Sequence, residues 1–294
     1  MTTTLRLGTF TSPVLLEVAR ATGALLNVGL DVVEQAVPSS PAQFRSLRDG
    51  ELDAVLTNPD NVLAYRFVPD NPLGEILDIV VVAAIDRGLG LTLCAAPGVA
   101  APAAGLRLGV DAATSGFALL AYALLDQLGI DHHELRLETL GSTPARAAAL
   151  VSGGCDVTML NAGNELSARE VGCVAFGSVE EVGPYLGTVL VRRGDAPAEP
   201  IALLTRTLLD VSLRIVTGQL DREATAAAER VLGLPTHLAR RHVAVLRDAH
   251  HGLVPSGIVD AASIETALEL RERFQPSPSL AEARSGWRGT LATA

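Results

Sequence analysis

The chain has 294 residues, a net charge of −10 and 48% hydrophobic residues, with 3% aromatic; that is length for two domains and apolar content for a large core. The acidic balance argues against a phosphate-neutralising nucleic-acid face and against attraction to an anionic membrane surface. All 23 basic residues are arginine, so a lysine Schiff base, and with it the usual attachment of pyridoxal phosphate, is excluded.

The opening MTTTLRLGTF lacks a basic n-region, a long apolar core and a small-residue cleavage site. The expectation is a cytoplasmic protein, or an extracytoplasmic one if Met1 replaces a removed signal. Residues 5–10 read as a strand. Ser12-Pro13 starts a helical pattern running through residue 26, because proline's missing N–H costs nothing in a first turn. Residues 30–37 read as a strand, Ser40-Pro41 opens a helix ending near Gly50, and Ala54–Thr57 reads as a third strand. A helix is expected over 61–67 and a longer apolar strand over 76–85. Strands alternating with helices imply a parallel sheet with right-handed crossovers.

The order then repeats. LRLG at 5–8 recurs at 106–109, and TSP at 11–13 is matched by TSG at 114–116. At a constant separation of 103 positions, Ser40 aligns with Thr143, Pro41 with Pro144, Gly50 with Gly153, Asp53 with Asp156, Asn58 with Asn161 and Asn61 with Asn164. Two similar α/β units follow, joined by a crossing at 84–91 and a second near 184–194. The remainder reads as helical over 200–218, 221–232, 235–248 and 260–274, with a Pro/Ser/Gly-rich tail expected to wrap the surface. It has no strand partner of its own, which places it with the first unit: lobe I is 1–88 with 190–294, and lobe II is 89–189. Two lobes joined by two crossings make a hinge, and ligands of open α/β sheets bind at the carboxyl ends of strands. TNPDN (57–61) and LNAGN (160–164) would then form opposite walls of one cleft.

This order of segments resembles the substrate-binding proteins of ABC importers, the type II periplasmic binding fold. It is most similar to their nitrate/sulfonate/taurine and thiamine-pyrimidine-precursor branch. The stretches that carry the resemblance are PSSPAQFRSLRDGELDAVLTNPDNVLAY, LRLGVDAATSGFALLAYALL, GSTPARAAALVSGGCDVTMLN, GPYLGT and GLVPSGIVDAASIETALELR. The resemblance implies two Rossmann-like lobes with a hinged interdomain cleft and extra C-terminal helices. It implies a small, often anionic or heteroaromatic solute held by Thr9, Phe10, Thr11 and Ser12, by Asn58 and Asn61, by Asp111 and 114–117 (Thr114, Ser115, Gly116, Phe117), and by Asn161 and Asn164. It implies an ABC permease as partner if the chain is exported, and a monomer as the default state. No cofactor is called for. Members usually carry a signal peptide or lipid anchor. Other proteins of this fold are cytosolic enzymes, so a cofactor-free lyase, dehydratase, decarboxylase or cyclase acting on a small organic acid or biosynthetic intermediate is the alternative reading.

The residues themselves support a binding site more than a catalytic one. Thr114 and Ser115 can cap a helix whose free N–H groups favour a carboxylate, sulfonate or phosphate, or they can be ordinary caps. Asn58 and Asn161 offer donors and acceptors that suit a polar or zwitterionic ligand, although asparagine is also common in tight turns. Asp60 and Glu165 are the acid/base candidates of the enzyme reading, or first-turn carboxylates facing helix dipoles. Phe10, Phe117 and Tyr185 can stack on a flat ligand or belong to the core. Cys94, Cys155 and Cys173 have neither disulfide nor zinc spacing. The pairs His132-His133 and His250-His251 lack the i, i+4 face of a helical metal site and read as solvated loops, so no metal is expected. No apolar run reaches transmembrane length.

Overall fold

The computed structural model describes residues 2–291 and contains two five-stranded sheets. The first is built from β1 (Thr3–Thr9), β2 (Leu30–Ala36), β3 (Ala54–Thr57), β4 (Ile79–Asp86) and β10 (Thr188–Arg193), in the order β2-β1-β3-β10-β4. The second is built from β5 (Thr92–Ala95), β6 (Arg107–Val110), β7 (Arg136–Thr139), β8 (Val157–Leu160) and β9 (Val174–Ser178), in the order β7-β6-β8-β5-β9. In each, four strands share one direction and a fifth, antiparallel strand is inserted among them, β10 between β3 and β4 and β5 between β8 and β9, so the sheets are mixed where the sequence pattern implied purely parallel ones. The inserted strands are the first ones after each crossing, so both connections enter the middle of a sheet rather than its edge.

The helices of the first lobe are α1 (Val14–Ala21), α2 (Ala24–Asn27), α3 (Ser40–Arg48) and α4 (Pro59–Phe67); those of the second are α5 (Gly116–Gln127), α6 (Thr143–Ser152) and α7 (Asn164–Glu170). The helix expected through residue 26 is cut in two, because Gly23 takes a left-handed φ of 72°. Asn58 is the N-cap of α4, its Oδ1 accepting the Asp60 N–H at 2.9 Å, so the helix starts before the expected residue 61.

The repeat has a structural cause. Arg6 of β1 clamps Asp53 just before β3, with backbone N and Nε to Oδ2 at 2.8 and 3.0 Å and Nη2 to Oδ1 at 2.8 Å. Arg107 of β6 clamps Asp156 just before β8 in the same three bonds, at 2.8, 3.2 and 2.6 Å. Each clamp ties adjacent parallel strands at the end away from the cleft.

The C-terminal region supplies α8 (Ala198–Val216), α9 (Asp221–Leu232), α10 (Thr236–Arg247), α11 (Ala261–Phe274) and α12 (Leu280–Gly286). The first three cover lobe I: Leu204, Leu208, Val211, Ala224, Ala227 and Leu238 join Val14, Leu16, Val18 and Leu30 in one core. The alanine face of α9 lets α1 approach closely. α11 behaves differently from the expected assignment to lobe I. Its Ile264 and Leu268 pack with Leu63 and Val68 of lobe I, while its Leu270 and Phe274 pack with Leu119 and Tyr122 of lobe II. The expected surface tail instead forms α12, because Leu280, Ala283 and Trp287 make an apolar stripe that docks into the α4–α11 core.

Candidate functional site

A cavity of about 110 Å³, counted over positions a water centre can take, lies between the lobes. Since a single water needs roughly 10–15 Å³ on that measure, it has room for several waters or one small organic molecule. The loop after β1 (Thr9, Phe10, Thr11, Ser12), the β3–α4 junction (Asn58, Asn61), the β6–α5 junction (Asp111, Ser115, Phe117) and Asn161 all line it. The strand ends thus meet at one cleft as parallel-sheet topology requires. The wall is largely apolar on the lobe I side, where Leu15, Leu56, Ile85, Leu232, Leu246 and Leu253 face the space.

Asn58 and Asn161 line the cleft, but their amides are already engaged. Asn58 Nδ2 donates to Tyr185 Oη at 3.0 Å and to the Gly187 carbonyl at 3.2 Å, both on the return crossing. Asn161 Nδ2 donates to the Gly88 carbonyl at 3.0 Å, on the outgoing crossing. Each asparagine therefore fastens one hinge segment to the lobe beside it. Four expected ligand residues do not reach the cavity lining. Tyr185 is buried behind Asn58. Thr114 presents its carbonyl to Arg271 at 2.8 Å. Gly116 packs against the opposite lobe, where an added Cβ would stand 2.5 Å from Asn58 Oδ1. Asn164 turns its amide to the Asn161 carbonyl at 2.9 Å.

The two expected acid/base residues also lie outside the lining. Asp60 accepts Arg271 Nε and Nη2 at 2.8 and 2.6 Å, both side chains being almost fully buried. Both carboxylate oxygens are thus taken by the guanidinium fork and neither faces the cavity. Because Arg271 also bonds Thr114, this ion pair joins α11 to both lobes. Glu165 is buried at the start of α7, beside Gly90 of the hinge. Its Oε2 accepts the Gly163 N–H at 2.9 Å, and Oε1 has no partner. Burial pushes its pKa up to about 8.

Arg146, on α6, is the residue that sequence reasoning missed. It lines the cavity and is only 3% exposed. Its guanidinium donates to Thr158 Oγ1 at 3.1 Å, the Gly141 carbonyl at 2.6 Å, Thr143 Oγ1 at 3.1 Å and the Met159 carbonyl at 3.3 Å. These are four bonds for five N–H groups, every acceptor is neutral, and no carboxylate pairs with it among the described residues. Burial lowers its pKa and the Asp111 carboxylate pulls it back up; a guanidinium keeps its proton in such a setting. The α6 N-cap, Ser142, makes no side-chain cap bond, so the helix start adds positive potential beside Thr143. The start of α5, by contrast, is occupied. Asp111 Oδ1 accepts Ser115 Oγ–H at 2.6 Å and its Oδ2 accepts the Ser40 N–H across the cleft at 3.1 Å. A sequence signal for Arg146 existed: at the 103-residue separation it matches Gln43, whose Nε2 makes the equivalent bond to the Leu56 carbonyl at 3.0 Å.

Asp86, at the end of β4, is a second cavity group not singled out beforehand. Burial pushes its carboxyl up to about 6, against the pull of Thr188 and of the Gly88 N–H at 2.8 Å. Among the described residues, the grouping of metal-type side chains is Asp131, His132 and His133; it lies on the surface beyond α5, away from the cleft. No helix of the described residues is long and apolar enough to cross a membrane.

Neither a protein-family model nor a curated protein matches the sequence. Solved structures do match in fold. The alkanesulfonate-binding protein SsuA from Xanthomonas axonopodis pv. citri, bound to MOPS, is 16% identical with a TM-score of 0.74, covering 99% of this chain and 98% of its own. The periplasmic nitrate-binding protein NrtA from Synechocystis PCC 6803 is 11% identical with a TM-score of 0.77, covering 98% and 88%. A conserved Candida albicans gene product, described as exhibiting the generic periplasmic binding protein fold, is 12% identical with a TM-score of 0.73, covering 99% and 96%. The chain has the two-lobe fold of periplasmic binding proteins.

Proposed function

We propose that this protein is a two-lobe clamp that binds a small organic anion in the cleft between its lobes. The observation that carries the reading is Arg146: a buried guanidinium at the cavity wall, bonded only to neutral acceptors. A buried charge without a directly bonded counter-charge is costly, Asp111 acting on Arg146 only through space, and an incoming carboxylate or sulfonate relieves that cost with a charge-assisted bond. Thr143 and the uncapped start of α6 add donors on the same side. The apolar lobe I wall takes the ligand's hydrocarbon part. The alkanesulfonate- and nitrate-binding neighbours also take anions, by their descriptions. Delivery to an ABC permease belongs to the same proposal and requires export.

The test is a thermal-shift and calorimetric screen of short carboxylates and sulfonates against the wild type and Arg146→Gln. Binding by the wild type, weakened at least about tenfold in the variant, is expected, since a hydrogen bond to a charged group contributes roughly 1.5–3 kcal/mol. Equal affinity in both proteins removes the assignment.

Asp86 favours a second reading, a cofactor-free enzyme, because a carboxyl titrating near neutrality at a cavity wall can exchange a proton with a bound molecule. Turnover of a bound acid by catalytic amounts of protein, lost in Asp86→Asn with binding retained, is the result that reading requires.

A further inference from the structure

On the lobe I wall, two lining side chains carry buried polar atoms without a partner, Thr11 at Oγ1 and His242 at Nδ1, and His242 is the larger and lies on a C-terminal helix. His242, on α10, lines the cavity among Leu232, Leu246 and Leu253, and is 1% exposed. Its Nδ1 is buried with no hydrogen-bond partner. It lies over Gly163 of the opposite lobe, where even an added Cβ would remain 3.6 Å from Nδ1. α10 has no counterpart in the repeat, so His242 is a contribution of the C-terminal helices to this wall. Burial pushes the imidazole down to about 4, so at neutral pH it is uncharged and can both donate and accept.

An unpartnered polar group in an apolar chamber costs free energy that a leucine there would not. Resting on the clamp reading above, we infer that His242 is a ligand-binding residue: the ligand is an anion whose apolar body ends in a neutral hydrogen-bonding group, such as a hydroxyl or an amide, received by this imidazole. Arg146 on lobe II holds the anionic head, and His242 on lobe I the far end. Such a ligand spans the cleft and touches both lobes.

The test uses unbranched carboxylates and sulfonates from butyl to octyl, in matched pairs ending in a methyl or a hydroxyl group. Affinities are measured by calorimetry for the wild type, His242→Leu, His242→Gln and Arg146→Gln. The hydroxyl-ended member of the best-fitting pair is expected to bind the wild type about tenfold more tightly than its methyl-ended partner. His242→Leu is expected to reverse that preference and His242→Gln to keep it. His242→Leu removes an orphan group from apolar surroundings, so its thermal midpoint is expected at or above the wild type's. A wild type that favours the methyl-ended member, or a His242→Leu protein that still favours the hydroxyl, overturns the inference and leaves the anion clamp standing. Failure of the wild type to bind any member of the series sinks the clamp reading and this inference with it.

Discussion

The two lobes share a skeleton but not a charge pattern. Arg6 with Asp53 and Arg107 with Asp156 are the same clamp built twice. Gln43 and Arg146 reach equivalent carbonyls, Leu56 and Met159, from equivalent helices. Asn58 and Asn161 each hold one crossing. On this common frame, lobe I places a neutral amide where lobe II places a guanidinium. In lobe I the buried Asp60 takes the Arg271 fork, whereas Glu165 of lobe II has an oxygen with no partner. A duplicated scaffold therefore needs few substitutions to become a polarised site, because the carbonyls that position the side chain are already in place.

The largest effect is expected where the asymmetry is buried most deeply. Arg271→Met leaves Asp60 buried and unpaired, and breaking a pair of this kind costs about 3–5 kcal/mol. Urea denaturation should show that loss, and the double variant with Asp60→Asn should recover part of it. If Arg271→Met unfolds at the wild-type midpoint, the pair does not join α11 to the lobes energetically.

Glu165 provides the pH arm of the comparison. Its folded-state pKa is raised, so the stability linked to its proton is fully present below the ordinary carboxylate range. That stability is lost as pH rises through about 8. Glu165→Gln should flatten stability between pH 5 and pH 8 by roughly a few kcal/mol. An unchanged pH profile would show that the carboxyl is hydrated. His242 gives the opposite limb. Its depressed pKa contributes stability present above the ordinary imidazole value and lost as pH falls through about 4, and His242→Leu should remove that acid sensitivity.

The hinge asparagines separate by a smaller margin. Asn58→Ala removes a helix cap and two bonds to the return crossing, for about 2 kcal/mol. Asn161→Ala removes the bond from its amide to Gly88, for about 1 kcal/mol. Thermal unfolding of the two variants checks the order, and equal losses would break it.

Much of this frame was legible. The four strands of the first unit, the Ser115 cap, the two crossings and the matched asparagines follow from short-range pattern, and the loops expected at the cleft are at the cleft. What escaped was the use of individual polar groups. Asn58 looked like a ligand donor because its partner on the return crossing is 127 residues away. Asp60 looked like a free carboxylate because Arg271 is 211 residues away. Arg146 was masked by its place in an ordinary amphipathic helix, and His242 by belonging to helices that looked like mere cover for lobe I.

By itself, then, the sequence determined the repeated α/β units and the acidic, lysine-free chemistry available to them, because periodicity and composition act over a few residues. Only the tertiary structure decided which polar side chains are paired within the fold and which are left without a partner. A buried donor or acceptor takes whichever partner the fold brings within about 3 Å, and separation along the chain has no bearing on that choice.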